Sequence, residues 1–282
     1  MIETFTDFAQ FKKKAQEIGV GVNLDELLAV DIVFLESYED YLIISVKDYS
    51  QGPSNGLSSN ILILSEKNVL LYSEKTFGEK DYKMFRFTLQ KQFGESTVLT
   101  LLTLRDIFNN YQNAFKTIDE KIDALEIGYD LEEAESTTIR LRKVANRIED
   151  LVNLLVSLEE RKIRQVDTSL VAYDYRLLLT KARHLLDRCR NHLNQLRDIQ
   201  READMRQTRE TNKRIEDLTN VMKKLTSITV ILMLPTLVAS HYGMNFSNMP
   251  ELQLTWAYPA VIGVEIALAV LAAVYFRKRG WI

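Results

Sequence analysis

The chain has 282 residues, a formal net charge of −3, three histidines and a single cysteine. One cysteine, Cys189, excludes a disulfide framework and any Cys-based zinc site, and the slightly acidic balance leaves no global nucleic-acid footprint. Met1-Ile2-Glu3-Thr4-Phe5 has neither a basic n-region nor an apolar run, so it does not read as a signal peptide, and the N-terminal body is expected in the cytoplasm.

From about residue 27 to 76, short runs rich in Val, Ile, Leu and Tyr read as strands: 31–35, 41–46, 60–64 and 69–72. Turn residues separate them, above all Ser50-Gln51-Gly52-Pro53-Ser54-Asn55-Gly56. With flanking helices at about 5–18 and 80–92, residues 1–95 form a predicted α+β domain.

Between Gly128 and Pro235 there is neither glycine nor proline, and the stretch is rich in Leu, Arg, Glu, Lys and Gln. It reads as long helices: one at about 97–125, one at about 131–164, and a third running from about Ala172 to Tyr242. At 1.5 Å per residue the third would be about 105 Å long, and such a length needs neighbours or copies of itself to pack against. Residues 96–218 are thus long cytoplasmic helices including a stalk. The acidic run Asp130, Glu132, Glu133, Glu135 reads as a solvated helix start that complements the dipole. The dense charge at 197–204 reads either as a solvated face with i,i+4 pairs or as the lining of a water-filled vestibule. His184 and His192, eight apart, do not make a metal-ligand pair and read as surface or packing residues, as Cys189 reads as a small residue packed in a helix.

Residues 219–282 carry two apolar segments, about 225–242 and 255–276, each long enough to cross a hydrocarbon core of roughly 30 Å. The short linker forces a transmembrane hairpin. Lys223 and Lys224 precede the first span, Arg277, Lys278 and Arg279 follow the second, and the linker carries only Glu251. That is the positive-inside pattern, with both termini cytoplasmic. Along the first span, Thr219, Met222, Thr226, Thr229, Met233, Thr236 and Ser240 recur in steps of 3 and 4, one face of a helix. A hydroxyl stripe must be hidden from lipid, either in a helix–helix interface or around a shared channel axis. The second span is apolar almost all round. Its one carboxylate, Glu265, is costly there and is a functional candidate, for structural hydrogen bonding, with Ser240 or His241 at a similar depth, or for proton coupling.

Tyr242-Gly243-Met244-Asn245 directly after the first of two C-terminal spans, followed by Met249-Pro250-Glu251-Leu252, resembles the CorA magnesium channel family. Met222-Lys223-Lys224-Leu225-Thr226, Trp256-Ala257-Tyr258-Pro259 and the basic tail ending Arg277-Lys278-Arg279-Gly280-Trp281-Ile282 are similar to the same family, so the specific match covers roughly 219–282. The resemblance implies a funnel-shaped homopentamer in a cell (inner) membrane, carrying Mg2+ (and Co2+ or Ni2+) into the cytoplasm down the membrane potential. Gly243, Met244 and Asn245 would form the selectivity filter, with Asn245 holding the ion through its waters, since Mg2+ gives up water reluctantly. The Thr/Met/Ser stripe would line the pore, Met233 would constrict it by dewetting, and Glu251 would concentrate cations at the outer mouth. The five basic residues flanking the spans would form a collar that anchors to lipid head groups.

Three positions depart from the family pattern. Thr219 stands where Asn is usual. Leu234 intervenes between Met233 and Pro235. The stalk position of the family's regulatory Asp is Thr208, with Asp204 one turn earlier as the candidate for Mg2+-dependent closure. No cofactor is expected. Mg2+ is the cargo and a regulatory ion, and the partners are the bilayer, further copies of the chain and divalent metal ions, without nucleic acid. No enzyme is expected, because no Ser/His/Asp or Cys/His cluster and no Walker-type glycine loop is present. The alternatives are a proton-coupled zinc transporter of the same fold, and a membrane-anchored helical scaffold that conducts nothing.

Overall fold

The apolar runs of the N-terminal third pair into one five-stranded sheet of order β1-β5-β4-β3-β2. Its strands are β1 (Ile2–Phe5), β2 (Phe34–Ser37), β3 (Tyr41–Tyr49), β4 (Leu57–Ser65) and β5 (Val69–Tyr72). β1 runs parallel to β5, and every other neighbouring pair is antiparallel. The computed structural model describes residues 2–30, 32–49, 57–128, 130–161, 163–244 and 249–282. The expected turn at 50–56 and Asp31 lie outside these residues, as does Asn245.

The sheet is buried on both faces, which is why its strands read as unbroken apolar runs rather than alternating ones. Leu42, Ile44, Leu62, Leu64 and Leu71 face one core, and Ile43, Ile61, Ile63 and Leu70 face the other. The second core is closed by α1 (Phe8–Glu17) and α2 (Leu24–Ala29) through Phe11, Ala15, Leu24 and Leu27. Full burial of each such Leu, Ile or Phe side chain stabilises by about 1.5–3 kcal/mol.

Several elements differ from the sequence reading: β1 and α2 were not expected, β2 lies at Phe34–Ser37 rather than 31–35, and two helices have other bounds. The first helix begins at Phe8 rather than Phe5. The Asp7 side chain accepts from the Ala9 amide and fixes the helix start, which frees Ile2–Phe5 to pair with the β5 edge. The helix expected at 80–92 is broken into α3 (Glu79–Tyr82), a 3-10 turn and α4 (Arg86–Leu89). Phe85 is buried while Met84 and Phe87 are exposed, so no single apolar face is covered to hold one continuous helix. The chain then turns through Phe93 at φ 59° into Gly94. A Cβ at Gly94 would lie 1.8 Å from the Thr88 carbonyl oxygen, so only glycine fits this close approach.

Three long helices follow: α5 (Gly94–Ile127), α6 (Leu131–Glu160) and α7 (Ala172–Tyr242). The α6 start is capped by Asp130, whose side chain accepts from the Glu132 and Glu133 amides. Ala134, Thr137, Leu141, Val144, Ile148, Leu151, Leu155 and Leu158 on α6 form a buried stripe at helical spacing. It shares one core with α5 and the first part of α7. Cys189 is fully buried in that core. The chain ends in a 3-10 turn at Pro250–Gln253 and α8 (Ala257–Lys278). By internal contacts it divides into two units, Met1–Arg201 and Glu202–Ile282, with the division inside α7.

Candidate functional site

In the second unit, α8 and the end of α7 are long and apolar enough to cross a membrane, and few of their residues are buried. The predicted stripe lies on the α7 helix, and Thr219, Met222, Thr226, Thr229, Met233, Thr236 and Ser240 are all exposed, Met222 at 60% and Met233 at 59%. The covered face of the same helix is different: Lys223, Val230, Ile231, Leu234 and Val238 are half-buried, and Ser227 is fully buried. At ~100° per residue, this face is turned roughly 130° from the stripe. On α8 a matching face, including Ala260, Val261, Glu265, Leu268, Ala272 and Phe276, is partly or fully covered. The hydroxyl stripe is left open, together with an apolar ridge of Val221, Leu225, Ile228 and Leu232 beside it.

The stripe's hydroxyls are oriented. Thr219 Oγ1 donates to the Ile215 carbonyl (2.7 Å), Thr229 Oγ1 to Leu225 (2.9 Å) and Thr236 Oγ1 to Leu232 (2.8 Å). Their one donor is spent within the helix, so the oxygen lone pairs are what the stripe presents outward. Such a surface accepts hydrogen bonds from water and suits a cation carried in its hydration shell. Thr226 and Ser240 make no such bond among the described residues. Pro235 lies inside α7. Without an N–H it leaves the Ile231 carbonyl without its regular partner.

At the end of α7 the Gly243 amide still donates to Ala239 O (2.9 Å), and the Met244 amide to His241 O (3.4 Å). A Cβ on Gly243 would stand 3.3 Å from the Ala239 carbonyl oxygen, tight enough to require a shift. A concavity of about 530 Å³ is lined by Leu237, Val238, Ser240, His241, Tyr242 and Met244. Gly243 and Met244 are both exposed. Glu251 is exposed on the 3-10 turn.

Of the basic residues, Lys223 is half-buried, while Lys224, Arg277, Lys278 and Arg279 are exposed. Arg279 lies over the Tyr275 ring at 5.4 Å, and Phe276 stacks on Trp281 at 5.5 Å. Asp204 is exposed on the stalk, and its backbone carbonyl accepts from Thr208 Oγ1 at 2.8 Å. Glu265 is half-buried in the middle of α8 and has no hydrogen-bond or ion-pair partner among the described residues. No group of three or more His, Cys, Asp or Glu side chains gathers as a metal-ligand set among the described residues.

Sequence reasoning missed the covered face centred on Ser227. It read His192 as a surface or packing residue, in agreement with its place against Phe115, but missed its α5–α7 contact with Asp119. The Ser227 signal was present, since it falls opposite the stripe at helical spacing. The Asp119 contact joins residues far apart in sequence and has no local signature.

A family profile described as CorA-like Mg2+ transporter protein matches residues 30–278. The chain is 28% identical to the cobalt/magnesium transport protein CorA of Thermotoga maritima, over 95% of this chain and 79% of that one. Among solved structures, the complete CorA magnesium transporter from Methanocaldococcus jannaschii matches in fold with a TM-score of 0.55 at 20% identity, covering 100% of this chain and 90% of that one. The cytoplasmic domain of ZntB from Vibrio parahaemolyticus matches with a TM-score of 0.58 at 10% identity, over 74% and 88% of the two chains. The family is one of transporters rather than enzymes, in agreement with a chain that ends in two membrane-length helices and one oriented hydroxyl stripe, and the profile match over most of its length shows that this chain belongs to the CorA-like Mg2+ transporter protein family.

Proposed function

We propose that the chain forms a homopentameric channel in the cell (inner) membrane, with both termini cytoplasmic, that carries hydrated Mg2+ inward down the membrane potential. The observation that carries this reading is the open stripe on α7, which presents oxygen lone pairs and two methionines while the other side of the helix is covered. Five such helices around an axis would line one path with these groups and place α8 outside. Asn245 would hold the ion through its waters, with the Gly243 carbonyl below it. Neutral amide oxygens bind without trapping, which conduction requires. Met233 narrows the path, Glu251 concentrates cations at the outer mouth, and the basic collar anchors the inner ends to lipid head groups. Cytosolic Mg2+ closes the channel through sites that include Asp204. Co2+ and Ni2+ share the path as secondary cargo.

The test is Mg2+ uptake into proteoliposomes at an inside-negative potential without a pH gradient. Wild type takes up Mg2+, and Asn245→Ala loses at least tenfold of that rate. Equal uptake in both removes Asn245 from selection. A second reading, proton-coupled divalent transport with Zn2+ as cargo, is favoured by the unpartnered, half-buried Glu265. It requires uptake to follow an imposed pH gradient and to collapse in Glu265→Gln. A non-conducting scaffold gives no uptake of either ion by a folded oligomer.

A further inference from the structure

Asp119 on α5 meets α7 at two successive turns. Its Oδ2 accepts from Arg188 Nη2 at 3.0 Å, and its Oδ1 lies 2.9 Å from His192 Nε2. The other ring nitrogen of His192, Nδ1, lies 2.9 Å from Gln195 Oε1. Phe115 forms the floor: its ring centroid is 5.5 Å from that of His192, and Arg188 lies over it at 4.7 Å. One turn further, Leu196 is the last fully buried residue before the stalk, and between residues 201 and 222 every residue except Ala203 is exposed. This contact therefore stands at the root of the exposed part of α7.

Both nitrogens of His192 face oxygen atoms. The two contacts are satisfied together when both nitrogens carry protons, as the imidazolium. A neutral ring satisfies one, unless the Gln195 amide turns end for end. The charged groups facing the ring are the Asp119 carboxylate from α5 and, sharing that carboxylate, the Arg188 guanidinium from α7. On α6, Glu149 is engaged by Arg190 of the same stretch of α7 at 3.1 Å. The neighbouring Cys189 is buried and uncharged.

We propose that Asp119 is a positioning residue that pins the root of the stalk to α5, and that His192 makes the pin proton-sensitive, tight as the imidazolium and looser when neutral. The ion pair with Asp119, in which both partners are charged, exists only in the first state; the neutral ring keeps at most a single bond to the carboxylate. Gating in a channel whose pore helix is the continuation of α7 then depends on cytosolic pH through a group remote from the pore.

The experiment is amide hydrogen exchange of residues 183–200 in the full-length protein in lipid nanodiscs, at pH 6.0 and 8.0, corrected for the intrinsic chemical rate. Wild type is expected to lose protection several-fold at pH 8.0. His192→Gln, which still donates to Asp119 but does not titrate, is expected to show equal protection at both pH values, and Asp119→Asn reduced protection at both. Equal protection of wild type at the two pH values overturns the proposal, as does an unchanged pH dependence in His192→Gln. A second arm, the pH profile of Mg2+ uptake, is expected to flatten in His192→Gln. This arm alone rests on the transport reading: if wild type takes up no ion at any pH that reading falls, while hydrogen exchange still decides the pin.

Discussion

Burial decides the chemistry of single residues here. Cys189 is fully buried, and desolvation pushes its thiol up to about 12, opposed by the nearby Arg188. Because the folded value is raised, the stability this thiol contributes is complete below its ordinary range near 9 and is lost as pH rises toward about 12. The native protein at pH 8 is therefore expected to resist maleimide until it unfolds, as followed by mass spectrometry. Labelling at the rate of a free thiol would contradict this. The sequence told that Cys189 sits in a helix and packs, because residue type and spacing are local. It could not tell that His192 lies 2.9 Å from Asp119, because that contact depends on how two helices cross. The face that Thr219, Thr229 and Thr236 share on α7 follows from their 3- and 4-residue spacing, whereas Gly243 and Asn245 were singled out only by resemblance to a family, and Asn245 lies outside the described residues.

Among the elements, α7 is the most informative. The structure places it at Ala172–Tyr242 as expected, running eight residues past the end of the Gly- and Pro-free stretch with Pro235 inside it. Among the misread boundaries, two are places where a side chain or a sheet edge outweighs propensity: Asp7 delaying α1, and β5 drawing in Ile2–Phe5. If the stripe acts through its lone pairs, replacing Thr229 and Thr236 by Val keeps shape and removes the oxygens. The double variant is expected to keep its thermal stability, since the donors only satisfied carbonyls in their own helix, and to lower Mg2+ uptake several-fold. Uptake at the wild-type rate would assign the stripe to packing alone. Loss of the Asp130 cap in Asp130→Ala is expected to cost about 1 kcal/mol, seen as a lower melting temperature with uptake per folded protein unchanged.

At the scale of the whole molecule, the proposed driving force is the membrane potential. Carrying a divalent ion inward through 100 mV is worth about 4.6 kcal/mol, at ~2.3 per charge. This supports accumulation of roughly 10³-fold at equilibrium. Uptake into proteoliposomes is expected to grow as a potassium diffusion potential is made more negative inside, and to vanish when the potential is clamped at zero with equal Mg2+ on both sides. Uptake insensitive to the potential would point to another coupling. Composition places its changes at about residues 95 and 218, whereas by internal contacts the chain divides into Met1–Arg201 and Glu202–Ile282, within the charged part of α7.

Pro235 has a spectroscopic consequence. Because it offers no amide hydrogen, the Ile231 carbonyl keeps more double-bond character than its hydrogen-bonded neighbours on α7, and its stretching vibration is stiffer. Selective carbon-13 labelling of Ile231 and, separately, of Leu232 would place the Ile231 amide I band at the higher frequency. Water reaching that carbonyl would pull it back down, so one isotope label reports whether this depth of the membrane is wet.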